Sequence, residues 1–182
     1  MREYDQPSRE SLLTRSSGVN HGTFLHIAHE EGLIKNTSIH GGIRAPVANK
    51  KYDLKNDKAC GFNILTARDL DKMGTQGIID KLKERVAGSK VYISVDIDVL
   101  DPSFAPATGT AEVGGWTTRE LLTILDGLEG IELIGADVGR LMTRLELIKV
   151  FRLLTLVQLR SHRYTTIPAK RQYWLLLRLH TH

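Results

Sequence analysis

VYISVDIDVLDPSFAPATGTAEVGGW, residues 91–116, decides the fold. It opens as a buried strand: Val91, Tyr92, Ile93 and Val95 form a short β-rich apolar run, with Lys90 before it and acids after it. Side chains alternate along a strand, so Asp96 and Asp98 are expected on one side, two residues apart, where the apolar run ends. Ligands of open α/β sheets bind beyond the carboxyl ends of the strands. Two carboxylates held together there repel and lose solvation, so they need a cation to stay charged. Oxygen donors suit Mg²⁺, Mn²⁺ or Ca²⁺ better than a thiol-seeking metal. Asp101-Pro102 then breaks the strand and turns the chain, and the Gly-rich TGTAEVGG brings Glu112 back towards the same rim. An isolated D-x-D is ordinarily a solvated loop; the length of the whole stretch makes it specific.

Working outward, the flanks alternate between β and α patterns. Gly77 to Val86 is amphipathic, with Ile78, Ile79, Leu82 and Val86 on one face, and it feeds directly into the central strand. Phe62 to Leu65 reads as a short strand, and Thr66 with Asp69 three residues later reads as the start of a helix. Asn49 to Asp57 is charged and loop-like, and Thr37 to Ile43 is a strand with Gly41-Gly42 where backbone approaches something closely. Upstream, Thr23 is placed to cap a helix bearing Leu25, Ile27 and Ala28, which Gly32 terminates. Downstream, Thr117 and Glu120 form a capping box ahead of Leu121, Leu122, Ile124, Leu125 and Leu128. Gly130 ends that helix and Ile131 to Val138 is the next strand. The β-α-β order predicts an α/β fold with a mainly parallel sheet and right-handed crossovers.

His21 lies just before the first of these helices, where the positive end of the helix dipole lowers an imidazole pKa. A neutral histidine beside a metal-bound hydroxide can relay protons; alone, the same residue merely caps a turn. His26 and His29 read as ordinary helix histidines.

Composition narrows the function classes. A chain of 182 residues suits one domain with a sizeable core, and its 41% hydrophobic and 25% charged content is that of a globular protein. The single cysteine, Cys60, rules out an intrachain disulfide, and no Cys/His spacing points to zinc. The polar opening MREYDQPSRESLL has no apolar core of a signal peptide, and no apolar run reaches the ~20 residues that span a bilayer. Localisation is therefore left open and no membrane partner is expected. The net charge of +4 is unevenly placed: from Gly139 onward there are nine Lys/Arg and one acid, Glu146, so the preceding residues are net negative. A basic tail can bind phosphates, but without a recognised motif no nucleic-acid partner is expected.

At the central stretch the sequence resembles the ureohydrolases, the arginase and agmatinase family. The pattern S-x-D-x-D-x-x-D-P-x-x-A-P stands as Ser94, Asp96, Asp98, Asp101, Pro102, Ala105 and Pro106. It continues as Thr108-Gly109-Thr110, Glu112 and Gly114-Gly115, with Ala107 and Ala111 where the family usually has Gly and Pro. The Trp116-Thr117-Thr118-Arg119-Glu120-Leu121 form is most similar to fungal agmatinases. His21-Gly22-Thr23 resembles the family's histidine-Gly-Thr segment, with Asn20 replacing a common Ser, and His40, Gly42, Ile43 and Arg44 match an H-x-G-I-R sequence. No chemistry is assigned to Arg44.

The resemblance implies a three-layer arginase-like α/β fold, incomplete through a missing N-terminal portion. It divides the chain into a polar segment 1–16, a partial ureohydrolase domain 17–138 and a basic Leu/Arg-rich tail 139–182. It implies hydrolysis of a linear guanidine such as agmatine to urea and an amine such as putrescine. Asp96 and Asp98 would hold Mn²⁺, Glu112 would pair with the guanidinium, and His21 would be catalytic at the rim. The family's centre is binuclear, with six protein ligands and homo-oligomeric assembly. Only two of those ligands are present, because neither G-G-D-H nor D-A-H-x-D occurs in the chain. After Asp137-Val138 the family's V-E-x-x-P-x-x-D element is replaced by Gly139-Arg140-Leu141. A non-catalytic or partner-binding remnant of a ureohydrolase is therefore the alternative. A guanidinobutyrase, or another metal hydrolase using only the D-x-D, is the weaker one.

Overall fold

A computed structural model of the chain describes residues 23–46, 50–139 and 175–179. The elements in order are α1 (Phe24–Glu30), β1 (Ile39–Ile43), α2 (Lys50–Ala59), β2 (Asn63–Thr66), α3 (Asp69–Val86), β3 (Lys90–Asp96), α4 (Thr118–Gly127), β4 (Glu132–Gly139) and β5 (Leu175–Leu179). The five strands form one sheet in the order β2-β1-β5-β3-β4, and every pairing is parallel. The expected α/β class with a parallel sheet is what the chain adopts.

The core follows from strand alternation. Val91, Ile93 and Val95 are buried while Tyr92, Ser94 and Asp96 between them are half-buried. The buried set packs against Ile78, Ile79, Leu82 and Val86 of α3 and Leu121 and Ile124 of α4, with Trp116 sealing the cluster. A second, smaller cluster joins Cys60 and Phe62 to Leu25, Ile34 and Tyr92, so Tyr92 serves the opposite face of the sheet. His40 stacks on Phe62 at 4.1 Å between ring centres. Burial pushes the Cys60 thiol up to about 11, with Asp57 and Glu30 adding to the shift.

The helices depart from expectation in four places. The charged stretch read as a loop is the helix α2. Thr66 and Asp69 do interact, the Asp69 carboxylate accepting from the Thr66 amide at 2.8 Å and hydroxyl at 2.7 Å, but the helix begins at Asp69 itself. Gly74, at φ 70°, kinks α3 before the amphipathic half that supplies the core. Thr23 stands at the N-terminal boundary of α1, yet its side chain makes no capping hydrogen bond. The Thr117–Glu120 capping box is complete, with both reciprocal bonds formed (2.7 and 3.1 Å).

The region read as a basic tail contributes β5, whose backbone pairs with β1 on one side and β3 on the other. The helix expected near 145–159 lies outside the described residues.

Candidate functional site

β3 ends at Asp96, and the chain does not continue as a strand through Asp98. Residues Ile97–Val99 form one 3₁₀ turn, which the Asp96 carboxylate caps by accepting the Asp98 amide at 3.0 Å. Strand alternation therefore stops at Asp96, and Ile97, Asp98 and Val99 are all buried. Asp98 is fully enclosed at 0% exposure, and the Thr108 hydroxyl donates to its carboxylate. The two aspartates thus occupy the carboxyl end of one strand in unequal settings, Asp96 half-buried and Asp98 sealed.

From Leu100 the chain makes a long excursion and returns at Trp116. The return is fastened by the Trp116 amide donating to Val99 O (3.1 Å) and the Asp101 amide donating to Trp116 O (3.0 Å). Gly115 fits only because it lacks a side chain: a Cβ there would lie 2.4 Å from the Asp101 amide nitrogen. Inside the loop the Asp101 carboxylate accepts from the Ser103 amide (3.0 Å) and hydroxyl (2.6 Å), and from the Gly114 amide (2.8 Å). These bonds hold its pKa down at about 2, the Ser103 side chain contributing most.

Arg44, one residue past β1, ties the halves of this site together. Its Nε and Nη2 both donate to Glu112 O (3.0 and 2.7 Å), and Nη2 also reaches Asp98 O (2.9 Å) and Leu100 O (3.0 Å). Nη1 donates to Val99 O at 3.2 Å. Burial draws the Arg44 pKa below its ordinary value, opposed by Asp101, Glu112 and Asp98. Sequence reasoning assigned this residue no chemistry, since its partners are backbone carbonyls that leave no pattern in the side chains.

Glu112 is half-buried in the excursion, and its main chain is fixed to Arg44 beside the backbone of Asp98. Arg44 thus holds the main chains of Asp98 and Glu112 together beyond the end of β3, where Asp96 caps the turn. His21 lies outside the described residues. On β3 and β4, Tyr92 Oη and Ser94 Oγ donate to the two oxygens of Asp137 at 2.9 and 2.8 Å. Burial and that carboxylate raise the Tyr92 pKa to about 12.

Among the described residues no group of three or more His, Cys, Asp or Glu is disposed to hold a metal ion. Two carboxylates, one of them enclosed and engaged by Thr108, do not make a binuclear centre, for a hard divalent cation takes six or more oxygen donors. Nor is any helix among the described residues long and apolar enough to cross a membrane.

A parallel α/β sheet with an acidic loop-built site beyond a strand end defines the class. The chain belongs to the arginase family, whose family model matches residues 6–145. Two Schizosaccharomyces pombe proteins, named "Putative agmatinase 3" and "Putative agmatinase 1", are 48% identical over 124 residues and 53% identical over 121. These matches cover 68% and 66% of this chain but 30% of each relative, so the chain spans about a third of their length. Among solved structures, a hypothetical agmatinase from Burkholderia thailandensis superposes with a TM-score of 0.60 at 35% identity, over 74% of this chain and 39% of that one. The proclavaminate amidino hydrolase of Streptomyces clavuligerus does so at 0.60 and 34%, over 68% and 40%.

Proposed function

We propose that this chain carries the aspartate-bearing part of an agmatinase-type ureohydrolase, which hydrolyses a linear guanidine such as agmatine to urea and an amine such as putrescine. The observation that carries this is the excursion from Leu100 to Trp116, which places Glu112 in one hydrogen-bonded assembly with the strand end bearing Asp96 and Asp98. Glu112 is proposed to pair with the cationic guanidinium, for which a carboxylate is the natural fork-shaped partner. Asp96 and Asp98 are proposed to contribute two oxygen donors to a manganese centre. His21 is proposed as a proton relay at the rim, and self-association as the working state.

The metal tally favours a second reading for the polypeptide as it stands. On this reading the chain, lacking the G-G-D-H and D-A-H-x-D segments, is a non-catalytic remnant when isolated. The test is elemental analysis for manganese together with urea release from agmatine, on the purified chain. Little bound manganese and little urea are expected. Two tightly held ions with robust turnover, both abolished by Asp98→Ala, would overturn the remnant reading and leave the hydrolase reading alone.

A further inference from the structure

We propose that Arg44 is the positioning residue of this site. Its guanidinium sets where the Asp98 and Glu112 side chains stand relative to one another by gathering their main chains onto one fork. That those carboxylates meet metal and substrate rests on the function proposed above; that Arg44 fixes their separation does not.

The two segments it joins lie on either limb of the excursion, and no other bond described above reaches the Glu112 carbonyl from outside the loop. Asp98 sits in the 3₁₀ turn after β3, and Glu112 lies fourteen residues later, in an excursion fastened at its base and held within by Thr108 to Asp98 and by Gly114 to Asp101. Arg44 comes from a third segment and contacts four carbonyls, those of Asp98, Val99, Leu100 and Glu112. Three of the four belong to consecutive residues, so the turn presents its carbonyls to one planar group. The guanidinium carries five donors in a fixed plane, whereas a lysine ammonium is a compact point charge with three. A bond from a charged donor is also stronger than a neutral one. The geometry therefore calls for arginine in particular, and not for positive charge alone.

The hydrogen bonds of Arg44 go to main-chain carbonyls, so it holds the backbones of Asp98 and Glu112 without donating to their carboxylates. Glu112 is the clearest case: its carbonyl accepts two of the five bonds. Without them the excursion would keep its base, at Val99, Asp101 and Trp116, and lose the tie that brings its far limb to β1.

The test is amide hydrogen exchange on the full chain, comparing wild type with Arg44→Lys and Arg44→Ala. Exchange in peptides spanning 97–116 is expected to rise at least about tenfold in both variants, the loss associated with a charged hydrogen bond. Peptides from α3 and α4 should exchange as in wild type. Millimolar methylguanidinium should restore protection to Arg44→Ala while leaving wild type unchanged. A rise spread evenly over all elements, a lysine variant indistinguishable from wild type, or failure of methylguanidinium to rescue would overturn the proposal. If Arg44→Ala does not fold, the lysine variant decides the matter. Manganese titration of wild type and Asp98→Ala separates the two ideas. Manganese bound by wild type and retained by Asp98→Ala would speak against the metal role of that residue, whereas the exchange comparison alone judges Arg44.

Discussion

Asp98 shows how one residue can be legible in kind and misread in setting. The D-x-D spacing implied two carboxylates side by side on a strand. The Asp96 side chain instead caps a 3₁₀ turn and sends Asp98 inward, because a short acidic side chain competes with the ladder for a nearby amide. The partner of the enclosed carboxylate, Thr108, lies ten residues away, so local pattern could not reveal it. Thr108→Val should cost about 1.5–3 kcal/mol, the penalty for removing a donor from a buried charge, read from urea denaturation. The loss should shrink in an Asp98→Asn background, where that charge is absent. Asp101 makes a pH-dependent prediction. Its pKa is lowered to about 2, so its contribution to stability is present above the unfolded carboxylate value of about 4 and is lost as pH falls through about 2. The difference in melting temperature between wild type and Asp101→Asn should accordingly be full at pH 5 and shrink steadily between pH 4 and pH 2.

At the scale of elements, the readable helices were those with an apolar stripe or a reciprocal cap. Ile78, Ile79, Leu82 and Val86 fall on the buried face of α3 as their spacing required, and Thr117 with Glu120 fixes the start of α4. α2, KKYDLKNDKA, has no such stripe, which is why its charges suggested a loop. Close approaches between elements were equally hidden, since a glycine shows what it permits only when its neighbour is known. A Cβ on Gly115 would meet backbone of Leu100 and Asp101 at 2.4–2.8 Å, whereas one on Gly127, in α4, would meet the flexible end of Ile79 at 2.3 Å. Gly115→Ala should therefore be the costlier change, by about 1–3 kcal/mol for overpacking against atoms that cannot turn aside. Equal midpoints for the two variants in thermal denaturation would contradict this.

For the whole molecule, the parallel α/β class followed from the alternation of patterns, but the strand order did not. β5 comes from a Leu/Arg-rich segment with no family pattern, and it stands between β1 and β3, pairing with both. No local signal distinguishes an inserted central strand from a solvent-facing run of leucines; only the vacant hydrogen bonds of its neighbours select it. Leu177 is opposite Ile39 on one side and Ile93 on the other. Leu177→Pro should remove a ladder donor and introduce a clash at the middle of the sheet, costing about 3 kcal/mol or more. Calorimetry should then show β1-β2 and β3-β4 losing their common transition, where wild type melts as one unit.

The fastening of the excursion at its base has an evolutionary consequence. Val99, Asp101 and Trp116 close the loop where it leaves the core, and Thr108 and Glu112 tie its far limb to Asp98 and Arg44, so the exposed residues beside those ties are the part free to vary. Gly109 and Val113 lie out there, Val113 at 76% exposure and Gly109 with open space around it. Lengthening a loop already closed costs only about 0.6 kcal/mol for each doubling. Two glycines inserted after Gly109 should thus leave the melting temperature within a few degrees of wild type, whereas the same insertion beside Gly115 should not. Such a loop can vary at its tip while its fold stays constant, which gives selection somewhere to work without paying in stability.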